Sequence, residues 1–518
     1  METIDTSRLT GETRVPVLVV GAGPAGLVTA IGLARHGVRS MLIERHPSTS
    51  IFPRATGVST RSMEIFRGWG LDEAVRKGGW RVVPRMAMVE RFDDRSPVEM
   101  PLGFPDEAKS AAVSPTTAAV SPQDHLEPVL LDHYRSLGGD ARFSMELLSF
   151  VQDADGVRAT VRDVATGESH VVHADYLVGT DGHRSPVREG LGIAMEGPDD
   201  LGQFFSILFR ADLSRVLGER RYGIYTLAGD GPPRVLVPSG VDDRFVFAIP
   251  LPANLDGSAI AAMFPPERCT AMLRELSGDP DLDVDILATS SFAFSAQVAE
   301  RWSDGRVFLV GDAAHRMTPR GGRGMNTAIA DAFDLSWKLA FVERGIADPA
   351  LLATYEAERG PIGRRNVAMS MVPGGGSSDD GLTEDLGWVL GSQEVAFPPD
   401  GRPGTRAPHA WLEIAGQRLS TLDLFGRGLT LVANGAADAW RRAAWACIQY
   451  PVTVRSISGE AAAAFGLVDG GAALVRPDGV VAWRTESLPA DPAAQLQAAC
   501  EAALGGNHER PSAGKEAA

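Results

Sequence analysis

The chain has 518 residues, too many for one compact core, so two or three domains are expected. It is 44% hydrophobic and 22% charged, an ordinary globular composition, and 66 acidic against 50 basic side chains leave a formal charge of -16. That balance argues against nucleic acid and membrane as partners. Cys269, Cys447 and Cys500 lack metal or redox spacing and read as inert buried thiols in a reducing, cytoplasmic compartment, with no metal site.

In chain order, "METIDTSRLTGETR" has no positively charged start followed by an apolar core, so no secretion signal is read and residues 1–13 are taken as a tail. The uncharged run Val15 to Ala34 is as long as a membrane span, but its glycines favour a soluble nucleotide motif. Val17–Val20 reads as an apolar strand, followed by a glycine turn, a helix, and a second strand, Ser40–Ile43, closing on Glu44. In that context Gly21, Gly23 and Gly26, with Pro24 and Ala25 between them, form a dinucleotide fingerprint. Gly21 permits the tight turn, Gly23 lets the backbone approach a pyrophosphate, and Gly26 lets the helix pack on the strand. The helix N-terminus faces the phosphates. Glu44 can accept from a ribose 2′-OH and would repel a 2′-phosphate, which favours the ADP-ribose of FAD or NAD over NADP.

Further on, Leu126, Val129, Leu130 and His133 have helical spacing, with Gln123 near the helix start. A strand, Tyr176 to Val178, runs into Asp181-Gly182. Residues 195–290 hold alternating stretches such as "QFFSILFRADL" and "DRFVFAIPLP", which predict a sheet. Val307–Val310 is a third apolar strand with Gly311-Asp312 at its end, where open α/β sheets bind ligands. Met325, Ile329, Ala332, Phe333, Trp337 and Ala340 mark a following helix that starts near Gly324–Asn326, behind Gly321 and Gly322. This is a second helix N-terminus suited to a ligand that becomes negatively charged. "VPGGGSSDDG" predicts a linker, and the later "GAALVRPDGVVAWR" a turn between two strands.

The order GxGxxG, then "DG", then "GDAAH…P…G…GMN" resembles the class A flavoprotein aromatic monooxygenases, the para-hydroxybenzoate hydroxylase-like group. Length and C-terminal region are most similar to its aromatic polyketide and phenol hydroxylase branch, over about residues 14 to 505. The resemblance implies an α/β plus α+β fold: a discontinuous Rossmann-like FAD-binding domain (14–75, 105–190, 291–371) with an inserted β-sheet substrate domain (76–104, 191–290). A linker (372–400), a thioredoxin-like C-terminal domain (401–505) and a disordered tail (506–518) complete it.

It also implies site residues. Gly21, Gly23 and Gly26 would hold the FAD pyrophosphate, and Glu44 the adenosine ribose. Arg45, Arg54 and Gln123 would contact FAD, and Asp181 and Gly182 would lie near the dinucleotide. Gly311 and Asp312 would reach the ribityl chain. Pro319, Gly322, Gly324, Met325 and Asn326 would line the pyrimidine edge, where the helix N-terminus stabilises reduced flavin. The implied activity is hydroxylation of a polycyclic phenol or quinone through a flavin C4a-hydroperoxide, with NADPH or NADH and O2 as co-substrates. Baeyer–Villiger ring opening, antibiotic modification, and a flavin-binding reductase or assembly protein are the alternatives. A homodimer is compatible with the sequence. Arg320 and Arg323 depart from the family pattern and read as solvated loop charges or as helpers in binding an acidic substrate, flavin anion or nicotinamide. His315 reads as loop support, not as a base. Phe204, Phe205, Tyr222, Tyr225 and Phe247 are candidate pocket residues, although core packing suits each better.

Overall fold

A computed structural model describes residues 12–506 except 80–81, 95, 104, 106, 219–220, 229–232, 242, 253–254, 373–375, 377, 379–380 and 448. Most of the expected N-terminal tail, all but the first residue of the C-terminal one, and much of "VPGGGSSDDG" therefore lie outside the described residues. The chain forms two compact units, Met1–Ser336 with Arg359–Pro398, and Trp337–Glu358 with Pro399–Ala518.

In the first unit, a sheet runs in the order Ser303–Asp304, Val307–Leu309, Ser169–Gly179, Glu12–Val20, Ser40–Glu44, Asp140–Phe143. The strands from Val307–Leu309 to Asp140–Phe143 pair in parallel. Val17, Leu18 and Val19 are wholly buried, as expected of a parallel strand covered on both faces. The first strand starts earlier than its apolar core because Glu12–Val15 pair with Val171–Ala174. Gly21, Thr180, Glu44 and Gly311 all lie at the C-terminal ends of these strands. Every sequence motif thus comes to one sheet edge.

A second sheet has the order Asp285–Ala293, Gln203–Arg210, Arg244–Leu251, Arg234–Pro238, Tyr222–Leu227, Val83–Val89, Val98–Pro101. Phe205, Ile207, Phe209, Phe245, Phe247 and Ile249 bury one face against Ile260, Cys269, Leu273 and Leu276 of two helices. Each such side chain contributes about 1.5–3 kcal/mol relative to exposure. Side chains alternate along a strand, so Phe204, Ser206, Leu208, Arg244, Val246 and Ala248 take the other face. Arg244 reaches Asp124, in the first turn of the helix Gln123–Ser136, at 2.8 Å, which turns that face towards the nucleotide-binding elements.

Residues 382–398 are not a simple linker. They belong to the first unit, carry the helix Leu382–Leu386, and bury Leu382, Leu386 and Trp388. The periodic apolar residues anchor this segment.

The second unit holds a four-stranded sheet, Val452–Ser456, Leu429–Ala433, Ala472–Val475, Val481–Thr485, parallel in its first pair and antiparallel in the rest. With the helices Ala437–Ala446 and Pro492–Ala503 it forms a thioredoxin-like domain. Cys447 and Cys500 share its core, and burial pushes the Cys500 thiol up to about 12, with Cys447 adding to the shift. A charge network also lies within this unit: Lys338 to Glu358 at 2.7 Å, Glu358 to Arg476 at 2.8 Å, and Arg476 to Asp478. Burial disfavours the Asp478 carboxylate, but Arg476, Lys338 and Val480 N together outweigh it and hold the group at about 2. Among the described residues no helix is long and apolar enough to cross a membrane.

Candidate active site

The first glycine loop is shaped by close contact with the neighbouring strand. Gly21 has φ +104°, and a Cβ there would meet Thr180 O at 2.5 Å. A Cβ on Gly26 would meet Gly21 O at 1.9 Å. Thr180, which sequence reasoning passed over, donates its hydroxyl to Val20 O and Gly21 O, both at 2.8 Å. At Gly23, by contrast, a Cβ would meet nothing within 4 Å. That open backbone stands at the N-cap of the helix Pro24–Arg35, with Pro24 at its first position and Ala25 buried, and leaves room beside the free N–H groups of the helix start. Glu44 closes the loop, its Oε2 accepting from Ala22 N and its Oε1 from His46 N, both at 2.9 Å.

Beside it, Gln123 donates from Nε2 to Glu127 Oε1 at 2.7 Å, and Ser50 N donates to Glu127 Oε2 at 2.7 Å. Glu127 is 2% exposed, and burial pushes its pKa up despite those two bonds. It ties the loop carrying Arg45 and Arg54, both exposed, to the helix carrying Gln123. The Gln-x-x-x-Glu spacing on one helix was the available signal. Asp181 has a structural task. One carboxylate oxygen accepts from the Ser185 hydroxyl and the other from Val187 N at 2.9 Å, so it caps the helix Pro186–Gly190 while Gly182 turns the chain. Burial raises the Asp181 pKa.

At the second loop, Gly311–Ala313 form a tight turn that leaves Asp312 exposed near His183. Burial lowers the His183 pKa, and Asp312 works in the opposite direction. Pro319 is exposed and its carbonyl accepts from Gly322 N at 3.1 Å. The helix then starts at Gly324, within the expected interval. Cβ atoms on Gly322 and Gly324 would meet nothing within 4 Å, a second open stretch of backbone with Met325 and Asn326 beside it. The side chain of Asn326 is a four-way clamp: its Oδ1 accepts from Ser59 N and Ser62 Oγ at 2.9 Å, and its Nδ2 donates to Gly57 O and Gly322 O at 3.0 Å. His315 is wholly buried, with Nε2 2.6 Å from Asp331, which also accepts from Arg359 at 2.8 Å.

The two arginines separate. Arg320 is exposed, whereas Arg323 is 9% exposed, so the solvated reading fails for it. Burial lowers the Arg323 pKa, while Glu384 and Asp385 favour its charge from the segment first read as linker. Of the five aromatic candidates, Phe205, Tyr222, Tyr225 and Phe247 belong to the core under the second sheet. Tyr222 donates its hydroxyl to Glu99 at 2.6 Å, and Tyr222 N donates to the Tyr225 hydroxyl at 3.1 Å. Phe204 lies on the other face, 4.5 Å from the Phe294 ring.

A doubly wound sheet edge with two open glycine cradles and an acid at the second strand's end fits a flavin dinucleotide. An FAD binding domain model matches residues 14–370, and an aromatic-ring hydroxylase C-terminal domain model matches residues 400–506. The chain belongs to the FAD-dependent aromatic-ring hydroxylases. It is 36% identical over 547 residues to tetracenomycin A2 monooxygenase-dioxygenase from Streptomyces glaucescens, covering 95% of this chain and 97% of that one. It is 38% identical over 458 residues to aklavinone 12-hydroxylase from Streptomyces peucetius subsp. caesius, covering 83% and 93%. A solved ternary complex of aklavinone-11 hydroxylase with FAD and aklavinone superposes with a TM-score of 0.86 at 35% identity, covering 96% of this chain and all (100%) of that one.

Proposed function

We propose that the protein hydroxylates a polycyclic aromatic of the polyketide type, a phenol or quinone, consuming one NAD(P)H and one O2 per turnover and releasing water. The observation that carries this reading is the pair of open cradles, at Gly23 and at Gly322–Gly324, on one sheet edge. FAD, when bound, supplies the electron transfer and oxygen activation.

The chain's own residues do the rest. Gly23 and the helix behind it hold the pyrophosphate, Glu44 the ribose, and Asp312 the ribityl chain. The helix N-terminus at Gly324 places N–H donors and a positive dipole end where negative charge develops on the pyrimidine edge. The sheet face opposite the helices, where Phe204 and Ala248 keep part of their surface accessible, offers a mostly apolar wall that orients a flat ring and excludes water. Relatives of this chain named for tetracenomycin A2 and aklavinone support a fused-ring substrate.

The test is mass spectrometry of product formed from fused-ring phenols under ¹⁸O₂ with NADPH or NADH. One labelled oxygen on a ring carbon is expected. A labelled oxygen inside a lactone would establish ring opening instead, and FAD-loaded protein without substrate-dependent O2 consumption would refute the oxygenase reading.

A further inference from the structure

A cleft enclosing about 740 Å³ of empty space, open solvent at its mouth included, lies beside the second loop. Gly321, Gly322 and Asn326 form one wall, Thr60 and Arg61 another, and Asn366 and Asp385 a third. Two deeply buried oxygens on it have no hydrogen-bond partner among the described residues: Thr60 Oγ1 and Asn366 Oδ1, on side chains 1% and 8% exposed. The Asn366 amide already donates to Thr327 Oγ1 at 3.0 Å, so its carbonyl is left for a ligand. Buried polar atoms rarely go unpaired, and a roomy polar cavity recruits water to satisfy them.

We propose that this cleft is a hydrated proton-exchange site serving the flavin edge at the second loop, with Asp385 as the group that takes up and returns the proton. The proposal rests on the placement of the pyrimidine edge at Gly322–Asn326 argued above. Asp385 Oδ2 accepts from Arg61 N at 2.9 Å at the start of the helix Thr60–Gly68. That bond links it to the same helix end that clamps Asn326.

The charges around Asp385 come from every neighbouring element: Arg61 and Glu64 from that helix, Arg323 from the loop, Arg359 from the helix Thr354–Met371, and Glu384 beside it. Burial pushes Asp385 up to about 6, the bonds from Arg61 N and Ser59 pull it back, and Glu64 adds to the rise. Two electrons delivered by NAD(P)H bring negative charge to the loop, which raises the carboxylate's proton affinity further. Asp385 then takes one proton from solvent water and releases it when the electrons leave.

The test is the midpoint potential of bound FAD between pH 5.5 and 8 in the wild type, Asp385→Asn and Asp385→Glu. Above pH 6 the wild-type potential should fall more steeply than that of Asp385→Asn, by up to about 30 mV per pH unit, one proton per two-electron couple. Asp385→Glu should keep the extra slope. Equal slopes in all three proteins overturn the proposal. The FAD-free protein supplies an independent reading. A raised carboxylate pKa adds stability in acid that is lost as pH rises through about 6, so the wild-type Tm should fall more steeply up to that pH than the Asp385→Asn Tm, which keeps only the fall contributed by Glu127 and Asp181. Identical Tm profiles also overturn it. Failure of the wild type to bind FAD at all would instead sink the cofactor placement.

Discussion

The two glycine loops meet the same chemical demand by opposite means. At the first, the protein itself forbids side chains: Gly21 and Gly26 press against Thr180 and against each other's backbone. At the second, Gly322 and Gly324 face open space, and order comes from a side chain, the Asn326 clamp. A glycine required by internal packing, or by a left-handed backbone as at Gly322 with φ +61°, is a folding determinant, whereas Gly23 and Gly324 are under neither constraint and leave their backbone open to a ligand.

The sharpest way to break this contrast is Gly26→Ala. Its Cβ would stand 1.9 Å from Gly21 O, so the loop or the helix must move. A loss of about 3 kcal/mol or more is expected, read as a fall in Tm of the FAD-free protein together with loss of FAD retention. Next comes Asn326→Ala, which removes two accepted and two donated bonds. It should cost about 1–3 kcal/mol and shift the bound-flavin absorption spectrum, because the second loop has lost its order. Gly23→Ala should do the reverse of Gly26→Ala: FAD-free stability within about 0.5 kcal/mol of wild type, but FAD affinity lower by about tenfold, ~1.4 kcal/mol. A Tm drop equal to that of Gly26→Ala would erase the distinction between packing glycines and ligand glycines.

The sequence made the first loop legible because its constraints are local. Strand, glycines, helix and Glu44 fall within about thirty residues, and the fingerprint encodes their contacts. The second loop was legible in its backbone, down to the helix start at Gly324, and not in its side chains. Arg323 is buried, and the charges that favour it, Glu384 and Asp385, lie some sixty residues downstream, in a stretch whose glycines and serines masked the short helix that follows. In the second sheet the expected core packing holds for Phe205, Tyr222, Tyr225 and Phe247, but the two faces could not be told apart. Phe204 and Phe205 are equivalent in composition, yet adjacent residues on a strand must face opposite sides, and which face is core depends on where the helices Gly257–Met263 and Pro266–Ser277 pack. The resemblance alone places Asp181 near the dinucleotide, and its capping role was not legible, because "DG" by itself reads as a turn whereas Ser185 and Val187 engage its two oxygens.

Glu127 gives the smallest and most discriminating test, because it holds the first site by a charge rather than by shape. The ionised carboxylate accepts from Ser50 N and from Gln123 Nε2 at once. A glutamine there presents one acceptor and one donor, so Glu127→Gln sets two amide donors against each other until Gln123 turns over. FAD affinity at pH 8 should fall about threefold, within the net worth of one hydrogen bond. A protonated Glu127 has the same one-donor, one-acceptor pattern as glutamine. Burial raises its pKa, so as pH falls through that raised value the wild type should converge on the variant. In the FAD-free protein the sign is fixed by linkage. The wild type gains stability in acid and loses it as pH rises through the raised pKa, whereas Glu127→Gln lacks the share of this dependence that Glu127 contributes. Affinity and Tm measured from pH 4.5 to 8 check both, and an affinity gap that stays constant across that range would mean that Glu127 acts by shape after all.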